Sequence, residues 1–173
     1  MGELIKFEVK RLPGIKLVGK ELRYNMDLHM QEENRIPAFW DKCFAEEVFV
    51  PLEKQDDYVF DKDYVGVMCD WDKGDGDFSY VVGMLMKNDA AVPEGYYCKD
   101  IDETEVAIGW IKGKNTPDVC STAHPQTEQT LIEKGYRCDN MKWCIELYNC
   151  PRFTTPDENG NIILDYYIPL DAE

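Results

Sequence analysis

One layout occurs twice in this chain, at an offset of 90 residues, and that repetition limits the open architectures more than any other feature. Tyr97–Ile111 lies over Phe7–Glu21: an extended stretch, a short break and a second extended stretch recur, and Gly109 falls on Gly19. A helical stretch follows each copy, and two further extended stretches follow each helix. Counting each broken extended stretch as one, the order is strand–helix–strand–strand, written twice. Two copies are too few for a solenoid, in which neighbouring repeats cover one another. They predict a single α+β domain over residues 1–173, with a first module at about 1–88 and a second at about 95–173. The two modules form a pseudo-twofold pair with a mainly antiparallel sheet and one main helix each. A central groove at the pseudo-twofold axis is the expected binding site, because strands from both modules meet there and ligand sites favour such junctions.

The periodicities fill in this frame. Residues 4–11 alternate, with Leu4, Lys6, Glu8 and Lys10 against Ile5, Phe7, Val9 and Arg11, as a strand does. Leu12-Pro13-Gly14 predicts a bend, and Ile15–Arg23 continues extended. Across Met30–Glu47 the period lengthens. Ile36, Phe39, Trp40, Cys43 and Phe44 make one apolar helical stripe, with Asn34 as cap and Pro37 in the first turn. Trp40 and Phe44 are expected in the core or at a pocket edge. Val48–Lys62 reads as an acidic loop. Asp63–Trp71 and Phe78–Met86 form a hairpin around Asp72–Asp77, a turn that lacks the ligand alternation and closing Glu of a calcium loop. Gly66 and Gly83 inside these strands predict either a bulge or a close approach to the backbone. After the Pro-Glu-Gly turn at 93–95, Thr116–Cys120 leads into a helix over Ser121–Lys134, stopped by Gly135. Lys142–Asn149 and Ile162–Leu170 are the last two strands, joined by a turn-rich Pro151–Asn161 loop.

The chemistry concentrates in Lys142–Asn149. Trp143, Ile145, Leu147 and Asn149 point one way, and Lys142, Cys144, Glu146 and Tyr148 the other. That puts a carboxylate in mid-strand between a thiol and a phenol. A carboxylate on a half-buried strand is costly unless something there wants negative charge. Two readings stand: a solvated sheet face, or a glutamate that waits for a cation or a proton.

The formal net charge of −15 disfavours direct contact with nucleic-acid phosphate and would attract cationic ligands. No apolar run reaches membrane-spanning length and no signal segment opens the chain, so the expectation is a cytoplasmic protein with no membrane contact. Seven cysteines, an odd number without a C-x-x-C pair, read as reduced and mostly buried thiols. With only two histidines no metal site is expected, and a catalytic Cys–His pair has no local support. No phosphate-cradling glycine loop or nucleophile elbow occurs, and no cofactor is expected.

Several motifs in this order are similar to one family. They are Ile-Pro-Ala-Phe-Trp at 36–40, Asp-Tyr-Val-Gly-Val at 63–67, Pro-Glu-Gly at 93–95, Glu-Lys-Gly-Tyr at 133–136, Ile-Glu-Leu-Tyr at 145–148 and Asp-Tyr-Tyr-Ile-Pro-Leu at 165–170. Together they resemble the GyrI-like effector-binding domains over nearly the whole chain. The resemblance implies a groove for hydrophobic, often cationic small molecules and a central glutamate on the penultimate strand, for which Glu146 is the matching position. In AraC- and MerR-type multidrug-responsive regulators the module is fused to a DNA-binding helix-turn-helix. Here it fills the chain, so no direct nucleic-acid binding is expected.

A flat cation gains about 0.5–2 kcal/mol from each stacking or cation–π contact, and one carboxylate adds charge pairing with little geometric demand. The candidate ligand-binding residues are therefore Glu146, Tyr148, Trp110, Tyr167, Tyr64 and Trp40. Three functions stay open. One is a stand-alone binding module for amphipathic or cationic compounds. The second is a hydrolase of strained, cyclopropane-bearing toxins, with Glu146 as general acid or base and Tyr148 as its partner. The third is a protein–protein inhibitor of the gyrase-inhibitory kind.

Overall fold

The computed structural model of the chain describes residues 1–25, 27 and 34–172. In chain order the elements are β1 (Glu3–Leu12), β2 (Ile15–Asn25), α1 (Ile36–Ala45), α2 (Val50–Glu53), a 3-10 turn at Asp56–Tyr58, β3 (Val59–Cys69), β4 (Asp77–Met86), β5 (Tyr97–Ile101), β6 (Thr104–Gly113), α3 (Thr116–Glu133), β7 (Trp143–Tyr148) and β8 (Ile162–Pro169). This is the α+β, mainly antiparallel architecture expected from the doubled layout. Residues 30–33 of the expected first helix, and His29, lie outside the described residues. Among the described residues no helix is long and apolar enough to cross a membrane. The chain packs as two units, Gly14–Asp102 and Met1–Pro13 with Glu103–Glu173.

In the unit Gly14–Asp102 the strands run antiparallel in the order β3-β4-β2-β5. One face of β4, Phe78, Tyr80, Val82, Met84 and Met86, forms a core with Cys43 of α1 and with Val48, Phe49 and Leu52 around α2. Burying side chains of this size is worth about 1.5–3 kcal/mol each, which is why a helix with only one fully buried residue still docks. Phe44 does not join that core; it is 53% exposed. The helix also starts one residue later than the cap expected at Asn34. Arg35 occupies the cap position without a side-chain bond, while the Asn34 amide oxygen accepts from the Ile36 N–H at 3.1 Å. The stretch 48–62 is not a plain loop: it holds α2, the 3-10 turn and the first residues of β3. Gly83 resolves to close backbone approach. Its register partner is Gly19, and a Cβ added at Gly83 would lie 2.1 Å from the Val18 carbonyl oxygen.

In the other unit the strands run antiparallel in the order β1-β6-β8-β7. α3 lies across β1, β6 and β8. It begins at Thr116, five residues before the expected start. Asn115 is extended and its side chain accepts from the Asp118 N–H at 2.9 Å, so one orphan donor of the first turn is satisfied. Gly135, at φ +89°, ends the helix as expected. Gln126 ties the helix to the edge strand: its side chain accepts from the Leu4 N–H at 2.6 Å and donates to the Gly2 carbonyl at 2.8 Å. Gly109 permits the close seat, because a Cβ there would stand 2.4 Å from the Thr127 hydroxyl oxygen. All seven cysteines are free, but only Cys43, Cys69 and Cys144 are buried, and Cys98 and Cys150 are exposed.

Candidate functional site

β7 is buried on both faces. Trp143, Ile145 and Leu147 make the apolar face expected of them, and Cys144 and Glu146 on the other side are buried as well. Glu146 keeps 7% of its surface, so the solvated-face reading does not hold. The pairing with β8 identifies its neighbours. Glu146 stands opposite Tyr166, while Ile145 stands opposite Tyr167 and Leu147 opposite Asp165. Residues directly opposite on an antiparallel ladder share a face. Tyr166 is therefore in the Glu146 row, and Tyr167 and Asp165 are on the reverse. On β6, Gly109 is opposite Tyr166 and Trp110 opposite Asp165, which puts Trp110 on the reverse face too.

α3, packed across β6 and β8, contributes polar contacts to the Glu146 row. The Cys120 thiol is hydrogen-bonded to Glu146 and stands 4.0 Å from the Tyr148 hydroxyl. Burial, then the charge of Glu146 and the bond to it, push this thiol far above the ordinary cysteine range, against a smaller opposing pull from Tyr148. It is held as a neutral donor and is a poor nucleophile. One turn on, His124 Nδ1 lies 2.9 Å from the Tyr166 hydroxyl, with the two rings edge to face at 5.6 Å between centroids. Its Nε2 lies 3.8 Å from a Glu128 carboxylate oxygen. Burial lowers the proton affinity of His124, opposed by Glu128. Although Cys120 and His124 are four apart on one helix, the thiol bonds the glutamate and the imidazole meets tyrosine and Glu128. Tyr148 is half-buried and packs edge to face on Phe153 at 4.7 Å.

The structure thus brings Glu146 and Tyr148 together with Cys120, Tyr166 and His124, which sequence reasoning passed over. Trp110 and Tyr167 lie on the reverse face of the same sheet. Trp110 on the reverse face already has the Lys6 ammonium at 4.3 Å and the Arg152 guanidinium at 4.1 Å from its ring centroid. Arg152 is in turn paired with the buried Asp165. Tyr167 is half-buried on that same reverse face. Trp40 and Tyr64 belong to the unit Gly14–Asp102. Trp40 Nε1 donates to the Tyr80 hydroxyl at 3.0 Å. Tyr64 stacks on Phe49 at 3.6 Å and donates to a Glu53 carboxylate oxygen at 3.0 Å; burial and then Glu53 push its phenol up to about 12. The signal for the two missed residues on α3 was present. Cys120, His124 and Glu128 fall at i, i+4 and i+8, one stripe of a helix, once that helix is started at Thr116.

The sequence pattern of the Cass2 family, described as integron-associated effector binding protein, matches residues 8–170. No curated protein sequence matches. Among solved structures, SAV2435 bound to tetraphenylphosphonium superposes with a TM-score of 0.69 at 14% identity, covering 97% of this chain and 95% of that one. An integron cassette protein from the mobile metagenome of Vibrio cholerae gives 0.52 at 13% identity, covering 98% and 99%. The C-terminal domain of EcmrR gives 0.57 at 10% identity, covering 97% and 98%. At these identities the likeness is one of fold.

Proposed function

The chain belongs to the integron-associated effector-binding family, and from that premise we propose that it binds lipophilic organic cations with Glu146 as their counter-charge. Binding of small-molecule effectors is the family-level function. The observation that carries the finer reading is a carboxylate 7% exposed in mid-strand, with Tyr148 two positions along on the same face. Burying a charge in such a position costs several kcal/mol unless it serves a partner of opposite sign. A flat or multi-ring cation gains from both the carboxylate and the Tyr148 ring. The tetraphenylphosphonium in SAV2435 is a ligand of that chemical class in a protein of the same fold.

The hydrolase reading uses the same residues. Tyr148 and Glu146 share a face two positions apart, and Cys120 touches both, so an activated water could be held against a strained electrophilic carbon. The formal charge of −15 argues against direct contact with nucleic acid.

The test is a titration with rhodamine 6G, wild type against Glu146→Gln, at low and high salt. Saturable wild-type binding that survives high salt, and that weakens roughly ten- to a hundredfold in the variant (about 1.4–2.8 kcal/mol), is the expected result. Equal binding by the two proteins, or loss of both in salt, would mean that the dye reports only the acidic surface. Incubation with cyclopropane-bearing compounds then separates the two readings: products formed by wild type and not by Glu146→Gln favour the hydrolase.

A further inference from the structure

His124 and Tyr166 have no part in the reading above, yet they lie in the row that holds Glu146. Tyr166 is 1% exposed and faces Glu146 across the β7–β8 ladder, where facing Cβ atoms are about 4.5–5.5 Å apart. Its hydroxyl meets His124 Nδ1 at 2.9 Å. Which of the two donates depends on the imidazole. A neutral ring with a bare Nδ1 accepts the phenol proton. A protonated ring has a proton on both nitrogens and must donate into the phenol oxygen. The Tyr166 O–H is then released to turn toward another acceptor, and the neighbouring carboxylate is in its row. The proton gained comes from solvent, since the His124 side chain keeps 33% of its surface.

We propose that His124 and Tyr166 are positioning residues for Glu146, the imidazole setting the direction in which the Tyr166 hydroxyl donates and so the strength with which the carboxylate attracts a bound cation. This rests on the cation-binding reading and gives that site a pH response. Charged and titratable groups come to the pair, among the described residues, from α3 and from β7. Glu128 and Cys120 come from α3, and Glu146, Cys144 and Tyr148 from the same face of β7. The Cys138 thiol donates to Glu128 at 3.9 Å. β6 presents Gly109 opposite Tyr166 and Ala107 opposite Ile168, neither of which titrates, and Asp165 and Tyr167 face the other way. Acidification that protonates His124 directs the Tyr166 proton toward Glu146, softens its negative potential and weakens a bound cation.

The experiment measures rhodamine 6G affinity from about pH 8 to pH 5 in wild type, His124→Gln, Tyr166→Phe and Glu146→Gln. Wild type is expected to lose roughly three- to tenfold in affinity below the ordinary histidine range of about 6.5, a size fitting the net worth of one hydrogen bond to the carboxylate. Both His124→Gln and Tyr166→Phe are expected to bind at pH 8 and to lack that step. Tyr166→Phe removes one oxygen and keeps the ring, so it decides the matter even if His124→Gln folds poorly by circular dichroism. The wild-type step persisting in both variants overturns the proposal. A step lost in His124→Gln and kept in Tyr166→Phe also overturns it, because the imidazolium would then act through space and not through the hydroxyl. Failure of the underlying reading looks different: wild type shows no saturable binding at pH 8, or Glu146→Gln matches it there, and the positioning role falls with it.

Discussion

Gly109 and Thr127 mark the tightest seat of α3 on its strands, and they respond to mutation in opposite directions. The Thr127 hydroxyl is fully buried and has no hydrogen-bond partner among the described residues. Replacing Thr127 with Val keeps the shape and removes a desolvated polar group, so stability is expected to rise by about 1 kcal/mol. Gly109→Ala would drive a methyl to 2.4 Å from that oxygen and is expected to lose about 1–3 kcal/mol. Urea unfolding of both variants checks the pair, and a destabilised Thr127→Val would mean that the hydroxyl has a partner such as water. The same scale shows where sequence reading stops. Alternation correctly put Glu146 and Tyr148 on one side of their strand. It could not say which side of β6 and β8 joins them, because a one-residue slip in register exchanges the two faces. Trp110 and Tyr167 were expected on strands flanking the groove, and the observed registers put both on the sheet face opposite the Glu146 row.

At the scale of elements, α3 is the informative case. Thr116–Cys120 contains Thr, Pro and Asp and has only Val119 as a strong apolar signal, so composition favours a lead-in over a helix. Its buried stripe is Val119, Ala123, Thr127 and Leu131, small or polar at two of four positions. The first turn is held by its cap instead. Asn115→Ala removes the acceptor for the Asp118 N–H and is expected to cost about 1 kcal/mol. Amide exchange should then speed up most at the start of the helix, ahead of Cys120; uniform change along α3 would contradict a local capping role. α1 and the β3–β4 hairpin were legible because each contains its own signal: five apolar residues at helical spacing, and two alternating runs around a Gly/Asp turn.

For the whole molecule, acid is the revealing stress. His124 has a lowered proton affinity, through burial first and against the pull of Glu128. Burial alone would raise Asp70, but the Tyr97 hydroxyl at 2.6 Å and the Lys99 ammonium at 2.9 Å overcome it and hold the carboxyl below its ordinary value. Both groups bind protons more readily in the unfolded chain, so both make stability rise with pH. The His124 contribution begins to fade as pH falls through the unfolded value of about 6.5. That of Asp70 is complete above about 3.9 and is lost as pH falls through its lowered folded value. Urea midpoints between about pH 8 and pH 3 are expected to fall in two stages. Asp70→Asn should shrink the second stage, to which the lowered Asp75 and Asp157 carboxyls also contribute, while suiting the backbone there, at φ 57°. Relief of the net charge acts in the opposite sense and is common to both proteins, so their difference isolates Asp70.

The sequence by itself determined what depends on near neighbours along the chain. It placed the two main helices, short of the first turn of α3, and nearly all the strands, fixed the alternation that sets Glu146 in mid-strand, and carried the doubled layout that marks the fold family. Backbone period and turn chemistry are local properties, readable in a window of ten residues. Only the tertiary structure decided which rows of side chains meet. β1 pairs with β6 and is clamped by Gln126, 122 positions from Leu4. Glu146 is joined by Cys120 from a helix and by Tyr166 from the next strand. Those meetings follow from register and helix seating, which are settled by packing between segments far apart in sequence.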